Sequence, residues 1–146
     1  MGLFQMFKPQ HDVKCAMNSM EAFAAICLVA IASDGYLSES EETEMSLRLS
    51  RMKLFQNSLD QLDHLKTYLV ESLKKHGPNE LIQSAKAALP PSLAPTAFTT
   101  AVDLVFSDGT VSVQEQAFVD DLRLILEIPD ELALKIVEVI TIKNQG

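Results

Sequence analysis

Apolar residues recur three and four positions apart along nearly the whole chain, whereas stretches that alternate apolar and polar never extend far. Spacings of three and four share one face of a helix, and alternation would share one face of a strand, so the pattern predicts helices. A first helix is expected over Met17 to Ser33, apolar on every side from Ala22 onward and therefore central to the core. A second, acidic at its start, is expected over Glu39 to Met52. Ser58-Leu59-Asp60-Gln61 has the form of a capping box and opens a third helix through Leu62, Leu65, Leu69 and Leu73, ending near His76 ahead of Gly77-Pro78. Asn79 is expected to cap a short fourth helix with Leu81, Ile82 and Ala85, and Pro90-Pro91 forces a break after it. A fifth passes through Phe98, Ala101, Val102, Val105 and Phe106, a sixth runs from Val113 to Glu127, and a seventh follows Pro129 through Leu132, Leu134, Ile136, Val137, Val139 and Ile140. The expected fold is all-α, about seven helices in a compact bundle. Its divisions are an N-terminal segment over residues 1–16, one domain over 17–142 and a frayed tail over 143–146.

One segment occurs twice. Ser33-Asp34-Gly35-Tyr36-Leu37-Ser38-Glu39-Ser40-Glu41 returns as Ser107-Asp108-Gly109-Thr110-Val111-Ser112-Val113-Gln114-Glu115. Both copies read S-D-G-x-[LV]-S-x-x-E, follow an apolar helix and precede an amphipathic one, so the chain reads as two pseudo-repeated helix-loop-helix halves with two helices between them. Local structure explains much of the motif. Gly35 and Gly109 fall where a helix ends in the left-handed conformation. Ser38 with Glu41 and Ser112 with Glu115 form capping boxes, and Leu37 and Val111 would staple the entry to the core.

The aspartates are not covered by that account, because Asp34 and Asp108 sit at helix carboxyl ends, where the dipole disfavours an anion by about 0.3–1 kcal/mol. Two compensations are open. Each carboxylate can accept amides of the following turn, or it can face a cation that draws oxygens from a sharply turned loop. D-G-x-[LV]-x-x-x-E matches the second half of an EF-hand loop, but the first two carboxylate places hold Ala30 and Ala32 in one copy and Leu104 and Phe106 in the other. Neither loop is a complete site alone. The candidate ligands are Asp34, Glu41, Asp108 and Glu115, for a divalent cation such as Ca²⁺, Mg²⁺, Mn²⁺ or Zn²⁺; no organic cofactor is implied.

At these motifs the sequence resembles the TerB-like tellurite-resistance family, whose fold is related to the N-terminal helical domain of membrane-anchored DnaJ-like co-chaperones. The likeness covers nearly the whole chain, from the apolar helix and Ala32-to-Gly35 loop to the second apolar helix and Ser107-to-Gly109 loop. It implies a cytoplasmic helical module of stress and tellurite-resistance assemblies, with protein partners, proximity to a membrane, and acidic residues proposed to chelate metal. By position those acids are again Asp34, Glu41, Asp108 and Glu115.

Composition narrows the classes further. At 146 residues, 47% of them hydrophobic, the chain suits one domain with a real core and excludes a large multidomain enzyme. With 12 Lys+Arg against 20 Asp+Glu the formal charge is −8, which argues against nucleic acid, whose phosphates are gripped by cations. Two segments carry the surplus. Asp34 to Glu44 holds Asp34, Glu39, Glu41, Glu42 and Glu44, Asp103 to Asp121 holds Asp103, Asp108, Glu115, Asp120 and Asp121, and neither contains Lys or Arg. Cys15 and Cys27 lack CxxC spacing, and Cys27 lies in an apolar run, which suits a reduced, cytosolic chain. No signal-peptide pattern is visible at the start, the myristoylation pattern fails at Met6, and the apolar run Ala22 to Ala32 is about half of the roughly 20 residues a membrane span requires. Leu3, Phe4, Met6 and Phe7 are expected either to fold back on the domain or to touch a partner or membrane surface.

Asp103 precedes Asp108 on an otherwise apolar helix, and its counterpart in the first repeat is Val29. It is expected either to serve the second loop or to face solvent. His11, His64 and His76 lack the paired spacing of a zinc site and are expected at the surface. No nucleophile elbow, phosphate loop or HExxH string is present, so the expectation is a non-enzyme. The alternative to a cation-binding module is a protein-interaction or co-chaperone-like scaffold with an acidic face and no metal.

Overall fold

A computed structural model describes residues 17–32 and 37–145. Seven α-helices account for most of them: α1 (Ser19–Ile31), α2 (Glu39–Ser50), α3 (Leu62–His76), α4 (Pro78–Ala88), α5 (Ala94–Val105), α6 (Val113–Ile125) and α7 (Asp130–Lys143). There is no strand among the described residues, and the chain is an all-α bundle, as its periodicity predicts.

α1 is the axis of the bundle. Every residue from Ala22 to Ile31 is buried, so the helix has no solvent-facing side and must be enclosed. Its broadest contacts are with α4 and α5, and α2 and α3 complete the enclosure. α5 is a second hub, buried from Ala101 through Val105, against which α6 and α7 pack. Phe23 of α1 meets Phe55 edge-on, with ring centroids 6.3 Å apart, an arrangement that favours aromatic pairs beyond the area they bury.

Three helices begin with complete capping boxes. Ser38 and Ser112 cap α2 and α6 with Glu41 and Glu115 reaching back, as their spacing predicts. Asn18 and Glu21 do the same for α1: the Glu21 amide donates to Asn18 Oδ1 at 2.8 Å and the Asn18 amide donates to Glu21 Oε1 at 2.9 Å. This third box is N-x-x-E and lies one residue inside the expected helix start.

Other expectations are corrected. Ser58 caps nothing: residues Lys53–Gln61 form 3₁₀ turns interrupted at Ser58, and α3 starts at Leu62 without a side-chain cap. Burial of Phe55 beside Phe23 commits this stretch to the core before α3 begins. Nor does Asn79 cap α4. Gly77, at φ 86° and ψ 164°, takes that place with Pro78 at the first helical position, a pairing that needs glycine's freedom and proline's missing N–H. Val111 is exposed rather than stapled, whereas Leu37 packs on the core. Lys143, expected to fray, is the last residue of α7, and Asn144 caps it. The expectations for residues 1–16 and for Asp34 and Gly35 lie outside the described residues. No described helix is long and apolar enough to cross a membrane.

The two serines separate a working cap from a nominal one. Ser112→Ala should cost about 1 kcal/mol, whereas Ser58→Ala should stay within about 0.5 kcal/mol. Urea unfolding of the two variants checks the contrast.

Candidate functional site

The second Asp-Gly loop is held by its own side chains. Asp108 Oδ1 accepts the Thr110 amide at 3.0 Å and the Thr110 hydroxyl at 3.2 Å, so the carboxylate closes the turn that follows, with Gly109 at φ 81°. Seven residues after Asp108, Glu115 Oε1 accepts the Ser112 amide at 2.9 Å. In the first copy Glu41 Oε1 accepts both the Ser38 amide and the Ser38 hydroxyl at 3.0 Å. Three of the four candidate ligands, Glu41, Asp108 and Glu115, are therefore placed, and each performs a turn or cap. Among the described residues no three of His, Cys, Asp and Glu gather as a metal-holding group. A hard divalent cation draws on about six or more oxygens, and the described donors alone do not make such a shell.

Asp103 is the carboxylate whose placement changes most. It is neither solvent-facing nor part of the Asp108 turn: it is 8% exposed, the one charged residue buried among those described. Arg48 of α2 donates its Nη1 to Asp103 Oδ2. On the other oxygen, Asn144 Nδ2 lies at 3.1 Å and Lys143 Nζ at 3.3 Å, both from the end of α7. Arg48 also binds Glu44 Oε2 through Nε at 3.0 Å, one turn away on α2. The cluster thus joins α2, α5 and the end of α7, and Gly109 of the second loop lies beside the Asn144 carbonyl. Burial alone would push Asp103 up, but the Asn144 amide, the Arg48 guanidinium and the Lys143 ammonium together hold it below the usual carboxylate range. Sequence offered a signal for this: Asp103 interrupts a run in which Val102, Leu104, Val105 and Phe106 are all apolar. What was missing was its partner, because Arg48 lies on a helix whose other features are acidic.

In the register of the repeat, Asp103 corresponds to Val29 and Arg48 to Leu122. Val29 and Leu122 line a common groove of about 580 Å³ between the end of α1, the start of α4 and α6. Ile82, Phe118, Leu124 and Ile125 extend its apolar wall, and Asp121 and Gln114 stand among its lining. An apolar pair thus stands at one junction of the two halves where the equivalent junction has a charged one. Cys27, by contrast, is fully buried in the core, and burial pushes its thiol up to about 12, which removes it as a nucleophile at neutral pH. His64 and His76 are exposed, as expected, and His76 sits 3.3 Å from Glu80.

Asp103→Val alone leaves Arg48 with Glu44 as its remaining partner beside a new apolar side chain and should cost about 3 kcal/mol, while Asp103→Val with Arg48→Leu should recover most of the loss, as apolar replacements of buried ion pairs do. Because the folded pKa of Asp103 is lowered, its contribution is complete above the ordinary aspartate value of about 3.9 and is lost as pH falls below it. Denaturant midpoints between neutral pH and the acid limb should show wild type losing this increment and the double variant having none to lose.

A family model described as tellurite resistance protein TerB matches residues 20–136. Comparison with curated proteins and with solved structures finds no match. The matched span runs from the second residue of α1 to the middle of α7 and takes in both capping serines, the Asp103–Arg48 pair and the whole groove. On that span the chain belongs to the TerB family of tellurite-resistance proteins.

Proposed function

We propose that this TerB-family chain is a non-enzymatic interaction module of a tellurite-resistance or stress-response assembly, and that the groove between α1, α4 and α6 takes an apolar, basic segment of a partner protein. The observation that carries this reading is the groove itself. It is open and apolar, Leu124 stands exposed on its wall, and Asp121 lies among its lining. The formal charge of −8 gives long-range preference to a cationic partner. Four of the described groups are engaged or quenched by the fold: Asp103 is held by its cationic neighbours, Glu41 and Glu115 cap helices, and burial pushes the Cys27 thiol up to about 12.

A second reading, weak divalent-cation binding by Asp34, Glu41, Asp108 and Glu115, is favoured by one detail. The turn and the cap use a single oxygen of Asp108 and of Glu115, which leaves the other oxygen of each open to a ligand. The cytoplasm is the compartment proposed for either reading.

A labelled Leu–Lys model helix should bind the full-length chain saturably and lose affinity as salt rises, whereas a Leu–Glu helix should not bind. Leu124→Glu and Asp121→Lys should each weaken the Leu–Lys complex by about ten-fold or more, a loss of about 1.4 kcal/mol. Undiminished binding by both variants would remove the groove as the site. For the second reading, calorimetry with Ca²⁺, Mg²⁺, Mn²⁺ and Zn²⁺ should give saturable heat that vanishes in Asp34→Asn/Asp108→Asn, and heat retained in that variant overturns it.

A further inference from the structure

The groove between α1, α4 and α6 has buried apolar residues in Val29, Ile82 and Leu122 and an exposed one in Leu124. Asp121, also among its lining, is exposed and makes no ion pair with any described residue. An unpaired carboxylate beside an apolar recess favours a ligand that brings a cation together with apolar side chains.

The sequence ahead of α1 carries such a ligand. Leu3-Phe4-Gln5-Met6-Phe7-Lys8 places four large apolar side chains before a lysine, and residues 1–16 hold two of the 12 Lys+Arg, Lys8 and Lys14, against one of the 20 Asp+Glu, Asp12. A cationic, apolar stretch therefore belongs to a chain whose formal charge is −8. Its attachment lies within reach of the groove. Met17 packs on the core immediately before Asn18, the cap of α1, and the groove lies at the other end of that 13-residue helix, about 20 Å away. At about 3.3 Å per residue an extended chain runs about 30 Å from Met17 back to Lys8 and about 46 Å back to Leu3, enough for a curved path over the surface. A second recess, of about 280 Å³, lies nearer Met17, beside Met20 and Phe55. Its one carboxylate, Glu21, is engaged in the capping box of α1, and it has about half the room of the 580 Å³ groove.

We propose that residues 3–8 of this chain occupy the α1–α4–α6 groove of the same molecule, with Phe4 and Phe7 against its apolar floor and Lys8 beside Asp121, and that a partner gains the groove by displacing them. The inference rests on the reading of the groove as a receptor for an apolar, basic segment and adds how access to it is regulated. Tethering makes a weak contact effective. A short tether gives an effective concentration on the order of 1 mM, so a contact with a dissociation constant of about 0.1 mM is about nine-tenths formed, and a competing partner binds about ten-fold more weakly than to an empty groove.

The test uses the full-length chain with labelled Ile, Leu and Val methyls. Nuclear Overhauser contacts should join the Phe4 and Phe7 rings to methyls of Ile82, Leu124 and Ile125, and should be absent between separately labelled chains in a mixed sample. Phe4→Ser/Phe7→Ser should abolish these contacts and raise the affinity of the Leu–Lys model helix about ten-fold. Lys8→Glu should weaken the contacts and Lys8→Glu/Asp121→Lys should restore them, a rescue that misfolding cannot mimic. Ring contacts to Leu62 and Leu65 would place the segment in the smaller recess and overturn the inference. Contacts between separate chains, or none at all, overturn it too, as does a model helix that binds wild type and Phe4→Ser/Phe7→Ser equally well. If the ring contacts are present and the helix binds neither protein, the partner reading falls and self-occupancy stands.

Discussion

Ten consecutive buried residues leave α1 no side on which water is tolerable, and the arrangement of the bundle follows from that. A helix of this kind is stable only when neighbours cover its whole circumference, and α2, α3, α4 and α5 do so. Ala22, Ala24, Ala25 and Ala30 keep parts of its surface shallow, and Ala85 on α4 and Ala97 and Ala101 on α5 are also fully buried or nearly so. Small residues let helix axes approach closely. Phe23, Ile26 and Leu28 fill the remaining volume. Once α5 is committed to α1, its own far side has to be covered by α6 and α7.

The charged cluster sits where this apolar scheme ends. Asp103 is tolerated inside because a guanidinium, an ammonium and an amide converge on its two oxygens. Its counterpart position holds a valine, and the corresponding space lies open as a groove. The two halves of the sequence therefore share a motif but meet differently at their two equivalent junctions: where α2 faces α5 a charged clamp closes the junction with the end of α7, and where α6 faces α1 an apolar recess stays open. The clamp fixes the frame around the recess.

Helix content and order were legible because they rest on spacing, which the sequence displays directly. The capping serines were legible for the same reason, since a capping box is complete within four residues. The starts of α3 and α4 were not, because Phe55 burial and the Gly77 conformation decide them, and neither is a matter of local hydrogen-bonding pattern. Of the candidate site, Asp108 and Glu115 could be assigned turn and cap geometry from sequence, but Asp103 could not be placed without knowing that Arg48 would face it across the bundle. Long-range pairs leave no periodic trace. The groove was equally invisible, being a gap between three helices rather than a property of any one.

The Asp103 cluster also bears on the order in which the molecule assembles. Asp103 lies 55 residues from Arg48 and 40 from Lys143, so its bonds close long loops, whereas each helix and cap forms from neighbours in the chain. Contacts of such separation carry the largest closure entropy and are made after local ones. Interactions absent from the folding transition state act on the rate of escape from the native state instead of the rate of entry. A clamp closed after the transition state would act as a latch: it would do little to start the bundle folding and would lengthen the time the bundle stays folded.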